Sequence, residues 1–258
     1  MSNDLIKLGV TQKAYPRQIY KYRVENDEKT ERIITANELW FSNPLLFNDP
    51  FDCNTPIDIH TSIEEIKKWL ISAGVANQNI DNLADKLKRT PDYMKLATEN
   101  AISNLGVCCF STIDDNILQW SHYSNYHKGI CLQFDISEDT EFFMIPVIVA
   151  YRKVMQHYNH FCHSDKIIEY LIKPKFSEWS YESEIRIVKP AEIIKNNGNR
   201  LFNFKDNALK EVIFGIKTPD GIIEKYKKLC CDNNKKHVRF FKMELGIDTH
   251  YQLIKKLI

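Results

Sequence analysis

Apolar and polar positions alternate over residues 18–24, QIYKYRV, which predicts a strand. EKTERIITANELWFS then predicts a short helix and a strand over 39–42, and NPLLFNDPFDCN a turn-rich loop. In that loop Pro44 and Pro50 fix local backbone angles, and the Asn and Asp before them can hydrogen-bond their own backbone. The pattern changes over 62–104: apolar residues at 63, 66, 69 and 70 follow Ser62 and Glu65, spaced as a capping box. An amphipathic helix is predicted there, with two more helices before Leu105. GVCCFS (106–111) and GICLQFD (129–135) read as strands around a helix beginning in DDNILQWSHYSNYH. MIPVIVAYR (144–152) reads as one further strand, followed by a helical stretch near 163–173. SYESEIRIVKP alternates with period two, Ile185 and Ile187 pointing one way and Glu184 and Arg186 the other. EVIFGIK, a helix over 220–231 and HVRFFKMEL complete the pattern. Strands in runs with helices grouped between them predict an α+β single domain over 1–258, with a central mixed or antiparallel sheet and a helical insertion at about 62–104.

Composition narrows this picture. Of 258 residues, 43% are apolar and 27% charged, an ordinary globular balance that excludes a disordered or fibrous chain. A net charge of +1 provides no bulk field toward nucleic acid or an anionic membrane. Only 8 glycines occur, and neither GxGxxG nor GxxxxGK[ST] is present, so glycine-rich phosphate loops are not part of the chemistry. MSNDLIKLGV lacks the build of a signal peptide and no run approaches the ~18 apolar residues of a membrane span, so a cytoplasmic protein without membrane contact is expected. The 7 cysteines contain no CxxC and are expected to be reduced thiols.

Candidate chemistry concentrates in a few places. Glu182 and Glu184, read as i and i+2 on a strand, would place both carboxylates on one face roughly 7 Å apart. Such a pair can repel, raising one pKa, or divide two roles; the alternative is a strand face salt-bridged by Arg186. Trp120, His122, Tyr123, Tyr126, His127 and Lys128 form a second dense group. The pair Trp120 and Tyr123, three apart on a helix, can sandwich a base or nicotinamide ring with Lys128 or a histidine on phosphate, or can anchor the helix to the sheet. In the NDPFDC loop Asp49 is expected to bond backbone or a pocket side chain, leaving Asp52 to contact substrate. His157, His160, His163 and Cys162 match no ordinary zinc spacing. Asp49, Asp52, Asp114 and Asp115 can gather around Mg²⁺ with Glu184, but turn and helix-cap chemistry explains them without a metal. No metal site is therefore expected. The lysines at 225, 227, 228, 255 and 256 read as a solvated face.

YKYR (20–23), FNDPFDC (47–53), CCFSTIDDNILQWSHYSNYHKG (108–129) and EWSYESEIRI (178–187), with IVAYR and EVIFGIK, together resemble the bacterial domain-of-unknown-function family 2971, from about Tyr20 to Phe240. That resemblance implies a bacterial or phage-linked intracellular protein and brings no settled activity. Arg23, then Phe110-Ser111-Thr112, then Glu182-x-Glu184 is also similar in order to the Arg, Ser-Thr-Ser and Glu-x-Glu signature of mono-ADP-ribosyltransferases. The chain departs from it in reading Ser-Thr-Ile, and Tyr20 or Tyr22 can stand as the first-strand residue, as in the His-Tyr-Glu branch. This second resemblance implies an ADP-ribosyltransferase-like fold and NAD as the nucleotide ligand. By position, Tyr22 or Arg23 would hold the cofactor, Ser111 would buttress the nicotinamide ribose and Glu184 would bond its 2′-hydroxyl, while Glu182 would orient an acceptor that the residues do not identify. A fixed carboxylate there would stabilise an oxocarbenium-like centre more than the ground state. The function so implied is an NAD-handling transferase or glycohydrolase, a toxin or phage-defence effector with an antitoxin or phage-linked partner protein. Two other readings stand beside it: a non-catalytic nucleotide-sensing or interaction module, and a metal-dependent nuclease. On the transferase reading, Glu184 is expected in a cleft near Tyr22 or Arg23 and Ser111.

Overall fold

Period-two alternation decides what each strand shows to either side of the sheet, and the described residues (2–58, 60–90, 92–247 and 251–258) of a computed structural model show both sides in use. The chain begins with α1 (Ser2–Thr11), β1 (Gln18–Arg23), α2 (Glu28–Thr35) and β2 (Glu38–Trp40). Helices α3 (Ile63–Ser72), α4 (Asn77–Lys88) and α5 (Asp92–Ser103) follow, then β3 (Gly106–Ser111), α6 (Ile117–Tyr123), β4 (Ile130–Asp135), β5 (Pro146–Ile148) and β6 (Ala150–Arg152). The rest comprises α7 (His160–His163), β7 (Pro174–Phe176), β8 (Glu184–Lys189), α8 (Ala191–Asn197), β9 (Leu201–Asn203), β10 (Leu209–Phe214), α9 (Asp220–Asp232), β11 (Arg239–Leu245) and β12 (Leu253–Leu257).

Eight strands form one sheet in the order β12-β11-β10-β4-β1-β3-β8-β5. Every neighbouring pair is antiparallel except β10 and β11, which are parallel and joined through α9, so the sheet is mixed and the domain is α+β. Two small sheets, β2–β9 and β6–β7, flank it. On one face Ile19, Phe110, Ile130, Leu132, Phe134, Ile185, Ile187 and Val212 pack under Ile33 and Ile34 of α2 and Ile223 and Tyr226 of α9, forming the main core. The other face carries Tyr20, Tyr22, Cys131 and Ile213 beneath Trp120 of α6, and a separate apolar group of Val107, Val147 and Val188 with Cys53 and Ile172. The same face of β3 and β8 sets Ser111 opposite Glu184 and Cys109 opposite Arg186.

The sheet is not evenly zipped. β1 pairs six residues with β4, and β3 pairs six with β8, but β1 and β3 share only the register Tyr20↔Ser111. Beyond that pair the Lys21 ammonium donates to the Cys109 carbonyl at 2.7 Å, a side chain standing where a ladder bond would. The three helices α3, α4 and α5 pack a small core of their own from Ile66, Leu70, Ile80, Ala84, Leu87 and Met94, completed by Phe161. The capping box at Ser62 and Glu65 is formed in both directions.

Two local expectations change. Residues 144–152 are not one strand: β5 adds to β8, whereas β6 pairs with β7. Between them the Val149 amide donates to the Glu184 carbonyl and the Ala150 amide to the Lys173 carbonyl, which transfers the chain from one sheet to the other. Glu182 is not on a strand either. It ends a 3-10 helix (Ser177–Glu182), and Ser183 turns through the left-handed region (φ 44°) before β8 begins. After α6, Asn125, Tyr126 and His127 all take positive φ, folding the chain back so that the His127 amide donates to the Trp120 carbonyl. Glycine is required where this turn packs, since a Cβ on Gly215 would stand 2.2 Å from the His127 carbonyl oxygen.

Lys189 at the end of β8 is buried; its ammonium donates to the Glu141 carbonyl at 3.0 Å and lies over the rings of Phe41, Phe142 and Phe202. Burial pushes its pKa down to about 8, against the pull of Asp139 and Glu141. An unfolded lysine titrates near ~10.4, so between these values the unfolded chain binds more protons and stability rises with pH. Wild type should gain about 2 kcal/mol relative to Lys189→Met between about pH 7.5 and 9.5 in urea unfolding. A gap that does not change with pH would mean that Lys189 titrates normally.

Candidate functional site

A cleft of about 460 Å³ opens where β1 and β3 part. β1 contributes Tyr20 and Tyr22, β3 contributes Cys109 and Ser111, and α6 contributes Gln119 and Tyr123. Lys175 of β7, with Glu182, Glu184 and Asp52, makes the charged part of the wall. Lys21 and Arg23 line it as well, although they leave β1 on the face opposite to Tyr20 and Tyr22.

The charged part is a single buried network. Arg186, with no exposed surface, donates to Glu184 Oε1 (2.7 Å) and Oε2 (3.2 Å), to Asp52 Oδ2 (2.7 Å) and to the Ile172 carbonyl (2.7 Å). Phe47 covers its guanidinium, with the ring centroid 5.5 Å away. The Lys175 ammonium reaches Glu182 Oε2 at 2.5 Å, Glu184 Oε2 at 2.7 Å and Asp52 Oδ2 at 3.7 Å. Tyr123 donates its hydroxyl to Glu182 Oε1, and Tyr151 accepts from the Glu184 amide (2.8 Å). Both carboxylates therefore meet at Lys175, although Glu182 comes from a helical turn and Glu184 from a strand.

Ser111 and Gln119 hold Glu182 through its backbone. The Ser111 hydroxyl donates to the Glu182 carbonyl (2.8 Å), and Gln119 Nε2 donates to the same carbonyl (3.1 Å) and to Ser111 Oγ (3.0 Å). Ser111 Oγ also accepts from the Ile113 amide (3.2 Å). The serine hydroxyl thus positions the Glu182 turn.

Unequal pairing with the nearby cations separates the two glutamates electrostatically. Burial alone would raise the Glu184 carboxyl, but Arg186 and Lys175 outweigh it and bring the pKa down to about 2. Burial pushes Glu182 up, with Lys175 and the Tyr123 hydroxyl pulling against it. Asp52 is also raised by burial, against the attraction of Arg186. Two neighbouring carboxyls with opposite shifts are the arrangement that lets one hold charge while the other exchanges a proton.

Tyr22, Arg23, Ser111, Tyr123, Asp52, Glu182 and Glu184 are thus brought together from the sequence candidates. Their freedom differs. The Tyr22 hydroxyl donates to the Ile113 carbonyl (3.0 Å), and Arg23 is tied to Asp27 (2.6 Å) and Thr30 (3.0 Å). Asp49 accepts from the Phe51 amide (2.9 Å) in the expected turn, whereas Asp52 is taken by Arg186. Trp120, His122, His127 and Lys128 are not among the cleft-lining residues. Trp120 is fully buried against Tyr22, edge to face at 5.2 Å, with its N–H on the Asp114 carbonyl (2.7 Å), the anchoring arrangement rather than a ring sandwich. His122 is exposed beside Tyr181, and the His127 ring is half-buried behind the left-handed turn. Asp114 pairs with Lys255 (2.6 Å), and among the described residues no three His, Cys, Asp or Glu side chains gather as a metal site requires. All seven cysteines are free. Lys175, Gln119 and Tyr151 complete the site without having been singled out. The helical spacing of 119 and 123 is a signal for one of them, since it places Gln119 one turn from Tyr123.

Removing the Glu184 charge leaves buried Arg186 without the one counter-ion that meets it through both carboxylate oxygens, so Glu184→Gln should cost about 3–5 kcal/mol. Glu182→Gln should cost much less, because the charged form of that carboxyl is already disfavoured by burial. Chemical denaturation of both variants reads the difference; equal losses would mean that Arg186 does not depend on Glu184.

Residues 119–187 match the family model described as protein of unknown function (DUF2971), a span that holds Gln119, Tyr123, Lys175, Glu182, Glu184 and Arg186. No helix among the described residues is long and apolar enough to cross a membrane. No curated protein matches the chain, and no solved structure does. The family match supports the resemblance to that family over this span and carries no activity with it.

Proposed function

We propose that the cleft binds a nucleotide of the NAD type and cleaves its nicotinamide glycosidic bond, passing the ribosyl group to an acceptor or to water. The observation that supports this reading is the meeting of three sequence-distant pieces. Tyr22, Ser111 and the Glu182/Glu184 pair line one cleft, and Ser111 bonds directly to the Glu182 backbone. The volume is within the ~300–1,000 Å³ of small-molecule sites.

The division of labour follows from the charges. Glu184, held ionised by Arg186 and Lys175, is a fixed negative charge beside which an oxocarbenium-like centre is favoured. Glu182, bonded to Tyr123 and raised by burial, handles the proton of the attacking hydroxyl. Lys21, whose ammonium meets the Cys109 carbonyl, adds positive charge at the edge where β1 leaves β3, suited to phosphate, while Arg23 beside it is paired with Asp27. This departs from the roles implied by the transferase resemblance in one respect: the ribose-facing serine becomes a support for Glu182.

A binding module without turnover has one observation in its favour. The Tyr22 hydroxyl, the Ser111 hydroxyl and the Lys175 ammonium are all already partnered within the protein.

Incubation with NAD, with and without EDTA, should release nicotinamide in a metal-independent reaction. Glu182→Gln should lower turnover by about 10² or more with little change in KM, since the group acts in the transition state. NAD binding by calorimetry without nicotinamide release would establish the sensing module instead, and EDTA-sensitive cleavage of nucleic acid the nuclease. Unchanged turnover in Glu182→Gln would remove that residue from the mechanism.

A further inference from the structure

Lys175 lines a second cavity, of about 320 Å³, whose walls come from the NDPFDC loop, the turn after β6 and strand β7. Its character is opposite to that of the cleft. Phe51, Val154, Met155 and Phe176 line it and are 64%, 78%, 38% and 44% exposed, with Tyr170 and Leu171 behind them. Single exposed apolar side chains are ordinary on a protein surface, but four that converge on one concavity mark a binding surface.

Charge selects what such a surface holds. Arg152 and Lys153 line the same cavity, and neither side chain has an ion-pair or hydrogen-bond partner among the described residues. Arg152 ends β6 directly opposite Phe176 of β7, so one cation and one aromatic wall are fixed in register. Lys175 does not add to this unbalanced charge, because Asp52, Glu182 and Glu184 already surround its ammonium. An apolar chamber with two uncompensated cations at its wall is complementary to an organic anion and hostile to a cation.

We propose that this cavity is a binding site for a small apolar monocarboxylate, its hydrocarbon body against Phe51, Val154 and Phe176 and its head group on Arg152 and Lys153. The site is independent of the chemistry assigned to the cleft.

Calorimetric titration of the full chain with decanoate, below its aggregation concentration, tests it against decan-1-ol, which has the same chain length without the charge. Decanoate should bind saturably at one site and about tenfold or more tighter than decan-1-ol, the margin of a charge-assisted contact. The double variant Arg152→Gln/Lys153→Gln should erase that preference while leaving decan-1-ol binding unchanged. Val154→Asp should weaken both ligands. These side chains are at the surface, so the variants should keep the wild-type fold. Binding should also persist in Glu182→Gln. Equal affinity for the two ligands, no decanoate binding, a preference that survives the double variant, or loss of binding in Glu182→Gln would each overturn the proposal. The two-ligand comparison on wild type decides even where a variant is unstable.

Discussion

Arg186 imposes the strongest constraint on this structure. A guanidinium with no exposed surface, on the second strand from the edge of the sheet, is tolerated only when its donors are met by charge and by carbonyl oxygens. Meeting them draws two separate segments to β8, Asp52 from the loop after β2 and the Ile172 carbonyl from the end of a π-helix (Ile168–Ile172) before β7, to join Glu184 two residues earlier on the same strand. The NDPFDC loop is ordered because its last aspartate compensates a buried cation. The two prolines and the Asp49 turn prepare the loop to arrive there.

The cleft is the consequence of what happens one strand further in. β3 pairs fully with β8 but almost not at all with β1, so the polar face of the β3–β8 pair is left beside an opening instead of under a neighbour's side chains. Helix α6 closes one side of that opening. Trp120 roots it against Tyr22 in the apolar cluster, which leaves Gln119 and Tyr123 to reach the Glu182 backbone and carboxylate respectively. One buried indole thus aims two polar contacts.

The alternation of Glu184, Ile185, Arg186 and Ile187 was legible because the two faces of β8 differ so sharply, one apolar core and one ion network, and period two survives in the sequence. The capping box at Ser62 and Glu65 was legible for a similar reason, being a contact between residues three apart. Glu182 was misplaced onto the strand because nothing in Tyr-Glu-Ser-Glu announces that Ser183 adopts a left-handed conformation. The split of 144–152 into β5 and β6 was hidden because a continuous apolar run does not record which sheet each half joins. Lys175 lay beyond local reasoning, since its importance comes entirely from carboxylates delivered by the loop at Asp52 and the segment from Glu182 to Glu184.

The network also carries a surplus. Among the described residues the cations paired with Asp52, Glu182 and Glu184 are Lys175 and Arg186, so with every group ionised one negative charge is left over in a buried place. Arg186 binds Glu184 through both oxygens, and that carboxyl keeps its charge. The imbalance is therefore expressed on Asp52 and Glu182, the two groups that burial raises. Of these, Asp52 faces the arginine, whereas Glu182 faces a tyrosine hydroxyl beside the Lys175 ammonium. A hydroxyl can follow a proton onto or off its neighbour by rotating, whereas a guanidinium cannot give up its own. On the function proposed above, Glu182 is therefore the member of the buried cluster suited to exchange a proton with a bound ligand.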